Sequence, residues 1–294
     1  FQNGRLVLEA PRFEERVTSW PDTIRALRGE EARHAFAAIR PDLLEALATA
    51  SDPERALARW ETMLARLPSA INLFRLFEQR PGLLGTVLHI LTLARPLADE
   101  LARRPELLDR LIDASALDLP GSVEQLAARM AGGDGEDYEA QLGRVRQVVG
   151  EERFALGVQL VEGRQDPLDI AEGLCRVAEA AVRTCAEGAI AEFRRAHGKL
   201  PGGELLLLGL GRLGGGALTH ASDLDMVYLF TGEIGGESDG PRPLTASLYF
   251  NRLASRVTAA LSVPTAEGAL YEIDTRLRPE GHKGPLAVSL GGFE

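Results

Sequence analysis

The chain has 294 residues, of which 33 are basic and 43 acidic, so its formal net charge is −10 at pH 7. This acidic balance argues against a general nucleic-acid or anionic-membrane binder, because both classes need a net basic face. The hydrophobic fraction of 45% is enough for a sizeable core. No apolar run approaches the roughly 20 residues that span a bilayer. We therefore expect neither nucleic acid nor a membrane as a partner.

The two cysteines predict a reduced, cytoplasmic protein. Cys175 and Cys185 lie in one predicted helix, about 15 Å apart along its axis. A disulfide needs Cα atoms within roughly 7 Å, so we expect no bond between them. No CxxC or Cys/His spacing typical of zinc is present. The chain begins with Phe1 and looks like a piece of a longer protein.

Residues 1 to about 200 are predicted to form successive helices. Apolar residues recur at helical spacing, as in Leu57, Trp60 and Leu64, which predicts buried stripes. Several predicted helices begin at a proline, whose missing N–H costs nothing in the first turn. These prolines are Pro53, Pro81, Pro96, Pro105 and Pro167.

A glycine-rich stretch at 131–136 is the predicted flexible joint. It separates a helical spacer or linker region, residues 1–130, from a second domain, residues 131–294. Two long helices, about 137–162 and 167–197, are predicted to open the second domain. Gly198 is well placed to end the later helix in a left-handed conformation.

Beyond residue 200 the pattern predicts alternating strands and helices. Leu205–Leu208 is a short apolar run typical of a strand buried on both faces. Further strands are predicted at 223–230 and 270–277. A helix is predicted at 244–263, where apolar residues follow i, i+4 spacing.

Asp223 and Asp225 are the first candidates for chemistry. Residues i and i+2 of a strand point to the same side, so both carboxylates are expected on one face. Oxygen ligands without Cys or His favour Mg²⁺ or Mn²⁺ over zinc. The alternative is that Asp223 caps a turn and Asp225 is a solvated strand residue.

A glycine cluster directly follows the first predicted strand. Glycines allow the backbone to approach a ligand, and a following helix N-terminus offers N–H groups to phosphate. Gly211, Gly214 and Gly216 do not match the Rossmann spacing, and no Gly-Lys-Ser/Thr ends the stretch as in a Walker A loop. The cluster alone is a weak indication.

The third predicted strand alternates charged and apolar residues. Glu272, Asp274, Arg276 and Arg278 are expected on one face. A third carboxylate between two guanidiniums suits metal-assisted phosphoryl chemistry, because arginine binds phosphate oxygens in pairs. The alternative is a solvated sheet edge with internal ion pairs.

Five segments together resemble a known family. They are residues 208–215 (LGLGRLGG), 222–225 (SDLD), 271–279 (YEIDTRLRP), 64–68 (LARLP) and 101–109 (LARRPELLD). The chain is similar to glutamine synthetase adenylyltransferase, a bifunctional adenylylating and deadenylylating family. The sequence Tyr-Glu-Ile-Asp resembles the C-terminal, adenylylating half more than the N-terminal, deadenylylating half. The resemblance implies an α+β fold, with a helical N-terminal region followed by a DNA polymerase β-like nucleotidyltransferase domain.

The resemblance also implies roles for individual residues. Asp223, Asp225 and Asp274 correspond to the catalytic, metal-binding trio, with Mg²⁺ as the cofactor and ATP as the substrate. Glutamine synthetase is the implied partner and target, and a PII-type signalling protein is a further implied partner. The implied nucleotide-binding residues are Gly211, Arg212, Gly214, Ser222, Arg276 and Arg278.

Two departures from the family leave alternatives open. The chain has Gly216-Ala217 where relatives commonly have Arg-Glu, and it stops before the helical region that normally follows the sheet. The expected activity is AMP transfer to a tyrosine hydroxyl. The alternatives are phosphorolysis of adenylyl-tyrosine, a non-catalytic regulatory fragment, or a small-molecule nucleotidyltransferase. His220, three residues before Asp223, is expected to be a surface turn residue.

Overall fold

A computed structural model describes residues 13–67, 69–112, 118–132, 137–232, 235–264, 269–279 and 281–293. Helices dominate, and four strands form one small mixed sheet, so the chain has the expected α+β fold. The helices before the sheet are α1 (Trp20–Thr23), α2 (Glu30–Thr49), α3 (Pro53–Arg66), α4 (Ile71–Gln79), α5 (Pro81–Leu93), α6 (Arg95–Arg103), α7 (Leu108–Ile112), α8 (Val123–Ala131), α9 (Tyr138–Val161) and α10 (Pro167–His197). The remaining elements are β1 (Leu205–Gly209), α11 (Gly211–Gly214), β2 (Leu224–Phe230), α12 (Ala246–Ser262), β3 (Ile273–Asp274), β4 (Ala287–Ser289) and α13 (Leu290–Phe293).

The chain divides into two compact units. The first unit comprises the residues up to Asp118 together with Gly157–Arg164, and the second comprises Leu119–Leu156 and the residues from Gln165 onward. Helix α8 packs against α10 within the second unit, so the observed division precedes the boundary expected at residue 130. Residues 133–136 of the expected joint lie outside the described residues.

The first unit has an aromatic core. Leu57, Trp60 and Leu64 are fully buried along α3, as their spacing predicts. The Trp60 ring meets Phe77 edge-on with centroids 6.4 Å apart, a geometry that stabilises aromatic pairs by about 1 kcal/mol beyond burial. Helix α3 begins at Pro53, as predicted.

The other predicted proline starts are confirmed as well. Pro81 opens α5, Pro96 lies in the first turn of α6, Pro105 opens a 3-10 turn and Pro167 opens α10. In the described part of the chain no single helix is long and apolar enough to cross a bilayer, although the sharply bent pair Pro81–Thr92 and Arg95–Arg103 reaches the combined length and hydropathy.

Two long helices precede the sheet. α9 and α10 match the predicted ranges to within a residue or two. The Asp166 carboxylate accepts a hydrogen bond of 2.8 Å from Leu168 N and caps the start of α10. Gly198 follows the last turn with φ of +72°, the positive value expected for a helix-ending glycine.

Both cysteines are free and buried on α10, as expected. Cys185 is 1% exposed, and burial raises the pKa of its thiol to about 12. The Cys175 thiol has 8% exposure, and burial raises its pKa also.

We predict that iodoacetamide alkylates Cys175 before Cys185 in the folded chain. The thiolate is the reactive form, and each unit of raised pKa lowers its fraction about tenfold, so the rates should differ by on the order of tenfold or more. Timed alkylation followed by peptide mass spectrometry measures both rates. In denaturant the two rates should become equal, and equal rates in the native chain would contradict the prediction.

The sheet is organised around β2. β1 pairs with β2 in antiparallel orientation. β3 and β4 both pair with β2 in parallel, β3 with residues 224–225 and β4 with residues 228–230. The sequence did not predict β4. Its backbone is held by Asn251 of α12, whose Oδ1 accepts bonds of 2.7 and 3.1 Å from the N–H groups of Leu286 and Ala287.

The expected burial of β1 on both faces is wrong. Leu208 is 38% exposed, and β1 is an edge strand whose described strand partner is β2. It is β2 that is buried on both faces: Tyr228 belongs to the helix-packed core, and Val227 on the opposite face is 1% exposed. An edge strand lacks a second neighbour, so an apolar run alone does not distinguish the two positions.

The third strand is much shorter than the predicted 270–277. β3 contains only Ile273 and Asp274. The Asp274 carboxylate accepts a hydrogen bond of 2.8 Å from the backbone N–H of Arg276, which turns the chain immediately after the strand. The expected common face of Glu272, Asp274, Arg276 and Arg278 therefore ends at Asp274.

Candidate functional site

The sheet brings two of the predicted carboxylates next to each other. Asp225 and Asp274 are register partners on the parallel strands β2 and β3. Strands lie about 4.8 Å apart, and paired residues point to the same face. Asp223 stands two residues before Asp225, just ahead of the strand, and is exposed. Three carboxylates thus come from one corner of the sheet.

Arg276 is the cation at this corner. Its Nε donates a 2.7 Å hydrogen bond to Asp274 Oδ2, and its Nη2 donates to the same oxygen. The hydrogen bonds to Asp274 raise the pKa of the Arg276 guanidinium, and the charges of Asp274, Asp223 and Asp225 raise it further. The predicted phosphate ligand Arg276 is therefore an ion-pair partner of the carboxylates in this structure.

The backbone conformation and the close contacts at position 211 require a glycine. Its φ of +53° lies in the left-handed region, and a Cβ built there would lie 2.1 Å from Asp225 Oδ2. Leu210 N donates to Asp225 O at 2.8 Å and fixes this approach. A Cβ on Gly214 would lie 2.6 Å from the carbonyl oxygen of Gly209. Gly211 thus allows the loop to run directly beside the carboxylate, and Gly214 allows the turn after β1 to close on Gly209.

The structure also brings together Arg212 and Ser222. Arg212 Nη1 lies 3.4 Å from Ser222 Oγ and 3.5 Å from Thr219 Oγ1. The Ser222 hydroxyl also accepts from Thr219 N at 3.0 Å. The helix beginning at Gly211 is only the single turn α11. The predicted roles of these residues toward a nucleotide stay predictions.

Arg278 forms hydrogen bonds with Thr275. Its Nη1 donates to the carbonyl oxygen and the hydroxyl of Thr275, at 2.7 and 2.8 Å. These bonds close the turn that follows β3. The alternating pattern that placed Arg278 beside Asp274 depended on a longer strand than the one observed.

His220 lies in a turn, as expected, but its side chain is partly buried instead of lying at the surface. Burial, together with the nearby charge of Arg153, lowers the pKa of its imidazole to about 4. His220 Nε2 and the hydroxyl of Tyr271 are both buried without a hydrogen-bond partner among the described residues. Burial also raises the pKa of Tyr271 to about 12.

A cavity of about 280 Å³ adjoins Asp223 and extends to Arg153. Arg153 lies on α9 and reaches the loops before β2 and β3, yet sequence reasoning did not identify it. An arginine on a long amphipathic helix usually faces solvent, so its spacing carried no signal. The cavity is lined by Arg153, His220, Ala221, Ser222, Asp223, Ala269, Leu270, Tyr271 and Glu272.

The donor set fits a hard divalent cation. Asp223, Asp225 and Asp274 offer only carboxylate oxygens, which suit Mg²⁺ and Mn²⁺. In the present side-chain positions, no group of three or more His, Cys, Asp or Glu residues within the described ranges is arranged to hold a metal ion. Arg276 binds the Asp274 carboxylate. A three-carboxylate site therefore requires side chains to move from these positions, and Asp274 is the carboxylate that Arg276 now holds.

Comparison with known proteins places the chain in a family. Residues 84–294 match the family model described as glutamate-ammonia ligase adenylyltransferase. Three similar relatives, each named bifunctional glutamine synthetase adenylyltransferase/adenylyl-removing enzyme, come from Rhizobium meliloti (37% identical), Mesorhizobium japonicum (38%) and Caulobacter vibrioides (34%). Each match covers 92% of this chain but only 27–28% of the relative. The chain thus spans less than a third of these relatives, and it belongs to the glutamate-ammonia ligase adenylyltransferase family.

Proposed function

We propose that this chain transfers AMP from ATP to a tyrosine hydroxyl of glutamine synthetase. The observation that carries the proposal is the parallel register that sets Asp225 opposite Asp274, with Asp223 two residues away and Gly211 open beside them. The relatives' names supply the protein substrate and the adenylyl group. The tyrosine acceptor comes from the resemblance described above.

The proposed site would use Mg²⁺ held by Asp223, Asp225 and Asp274. When bound, this ion supplies charge stabilisation for the phosphates and lowers the pKa of a coordinated hydroxyl. The tyrosine oxygen would form a bond to the α-phosphorus, and the bond to the β-phosphate oxygen would break to release pyrophosphate. The phenol proton must be removed as this bond forms, because a free tyrosine has a pKa near 10, and the Asp274 carboxylate would accept it.

The chain's own residues have defined tasks in this proposal. Arg276, once it has left Asp274, can offset the charge of the phosphates, since a guanidinium stays protonated at any relevant pH. The positive side chain of Arg212, held near Ser222, lies on the loop that Gly211 opens. Gly211 leaves room for the Asp225 carboxylate, and Gly214 leaves room for the carbonyl oxygen of Gly209, so both glycines keep the loop in this conformation.

The finer assignments belong to the same proposal. We assign the second unit to the nucleotidyltransferase domain with a DNA polymerase β-like sheet, supported by a small mixed sheet whose neighbouring strands carry the carboxylates. We assign the adenylylating direction because the sequence of residues 271–274 resembles the adenylylating half of the family. A cytoplasmic location and regulation by a PII-type protein are expectations from the resemblance.

The intact mass of glutamine synthetase tests the proposal. Purified glutamine synthetase is incubated with this chain, ATP and Mg²⁺, and we expect a gain of one AMP per modified subunit. The gain should be absent with Asp223→Asn/Asp225→Asn. A matched control, Glu187→Gln/Glu192→Gln, removes two carboxylates from α10 instead and should retain the gain.

The other outcomes discriminate between the alternatives. Phosphate-dependent loss of AMP from adenylylated glutamine synthetase, without any gain from ATP, would assign the chain to the deadenylylating direction. No change in either direction, with no Mg²⁺-dependent ATP binding, would reject the enzymatic proposal. An equal gain with the Asp223→Asn/Asp225→Asn variant would reject the assigned carboxylates.

A further inference from the structure

A single arginine joins the two loops that lead into the carboxylate-bearing strands. Arg153 Nη2 donates a hydrogen bond of 2.7 Å to the carbonyl oxygen of His220, and its Nη1 donates one of 3.0 Å to the carbonyl oxygen of Leu270. These acceptors are 67 and 117 residues away in the sequence. One guanidinium thus connects helix α9 to both loops.

Each of these loops ends in a carboxylate. The carbonyl of His220 lies three residues before Asp223, and that of Leu270 lies four residues before Asp274. The parallel pairing of β2 with β3 begins directly after these loops, where Leu224 N donates to the carbonyl oxygen of Glu272 at 2.9 Å. The arginine therefore fixes both strands just ahead of the register that sets Asp225 opposite Asp274.

The surroundings make this link hard to replace. The Arg153 guanidinium stacks on the ring of Tyr271 at 5.2 Å from its centroid, a cation–π contact. Beside it lies the cavity of about 280 Å³, which Arg153 lines together with residues of both loops. The planar fork of arginine holds two acceptors in a fixed geometry, which a lysine ammonium does not reproduce.

We propose that Arg153 is a positioning residue that sets the spacing of Asp223 and Asp225 relative to Asp274. It does so by holding the two preceding loops at their carbonyls, and it thereby tunes the affinity of the carboxylates for Mg²⁺ with ATP. This inference rests on the proposed function. The inference adds to the proposed function a residue that takes no part in the chemistry.

The test measures the Mg²⁺ concentration that gives half-maximal ATP binding. Arg153→Met keeps the length of the side chain but removes both hydrogen bonds, and we expect about a tenfold rise in this concentration, as for other residues that orient metal ligands. Arg153→Lys should show a smaller rise. Thermal unfolding confirms that each variant is folded at the temperature of the titration.

Arg176→Met is the matched control. Arg176 also donates to a backbone carbonyl, that of Pro120 at 3.3 Å, but outside the two carboxylate loops. Its loss should lower the melting temperature without changing the Mg²⁺ requirement. A purely structural role for Arg153 would produce the same result as this control.

The outcomes separate the inference from the function on which it rests. If wild type and Asp223→Asn bind ATP with the same Mg²⁺ dependence, the proposed site fails and the inference fails with it. If wild type shows the dependence and Arg153→Met shows it at the same Mg²⁺ concentration, only the inference is overturned. Should Arg153→Met not fold, an unchanged Mg²⁺ requirement in Arg153→Lys overturns it equally.

Discussion

Replacing Gly211 with alanine is expected to reduce Mg²⁺-dependent ATP binding and AMP transfer on the order of 100-fold. The new Cβ would lie 2.1 Å from Asp225 Oδ2, so the carboxylate or the loop must move. A displacement of about 1 Å at a reacting centre costs roughly this factor. The left-handed φ of +53° adds strain of about 1 kcal/mol to the folded state.

Gly216→Ala separates the two effects of this substitution. Gly216 also has a positive φ, +69°, but among the described residues nothing beyond its two chain neighbours lies within 4 Å of the position that an added methyl group would take. It should therefore show the strain without the displacement of Asp225. ATP titrations at fixed Mg²⁺, together with thermal unfolding, measure both quantities. Equal losses of ATP binding in the two variants would show that the contact with Asp225 does not matter.

Acid is expected to destabilise the second unit through His220. Its folded-state pKa of about 4 lies below the unfolded value of 6.5. Between these values the unfolded chain binds more protons, so this histidine's contribution to stability is present above pH 6.5 and is lost as the pH falls toward 4. The loss amounts to at most about 3 kcal/mol.

Urea unfolding between pH 4 and pH 7, without divalent metal, measures this contribution. Replacing His220 with glutamine removes the titrating group and should flatten the pH dependence by up to that amount. His34→Gln changes an exposed histidine and should leave the slope as in wild type. A slope that does not change in His220→Gln would show that other groups account for the acid sensitivity.

The helices were predictable because their signals are local. Proline in the first turn indicates where α3 and α10 begin, and the 3.6-residue period indicates which residues of α3 are buried. The period-2 rule predicted Asp223 and Asp225 on one face, but β2 begins at Leu224 and leaves Asp223 outside the strand, so this common face stays a prediction. Each of these predictions depends only on residues within one or two turns of chain.

The features that were missed depend on distant partners. β1 has an apolar sequence but an exposed edge, because its neighbours in the sheet are decided elsewhere in the chain. β3 is short because the Asp274 carboxylate bonds to Arg276 N instead of continuing the strand. Arg153 gave no signal because its two acceptors lie 67 and 117 residues away.

The position of β2 gives the two sides of the candidate site different freedom to move. Within the described sheet, β1, β3 and β4 all pair with β2, so opening β2 breaks every strand pairing at once. Asp225 therefore sits on the segment whose amides should exchange with solvent most slowly. Asp274 sits on a strand of two residues followed by a turn, which can open alone at low cost. Under the proposed function, the carboxylates would adjust to an incoming ion by a shift of Asp274, while Asp225 stays in place.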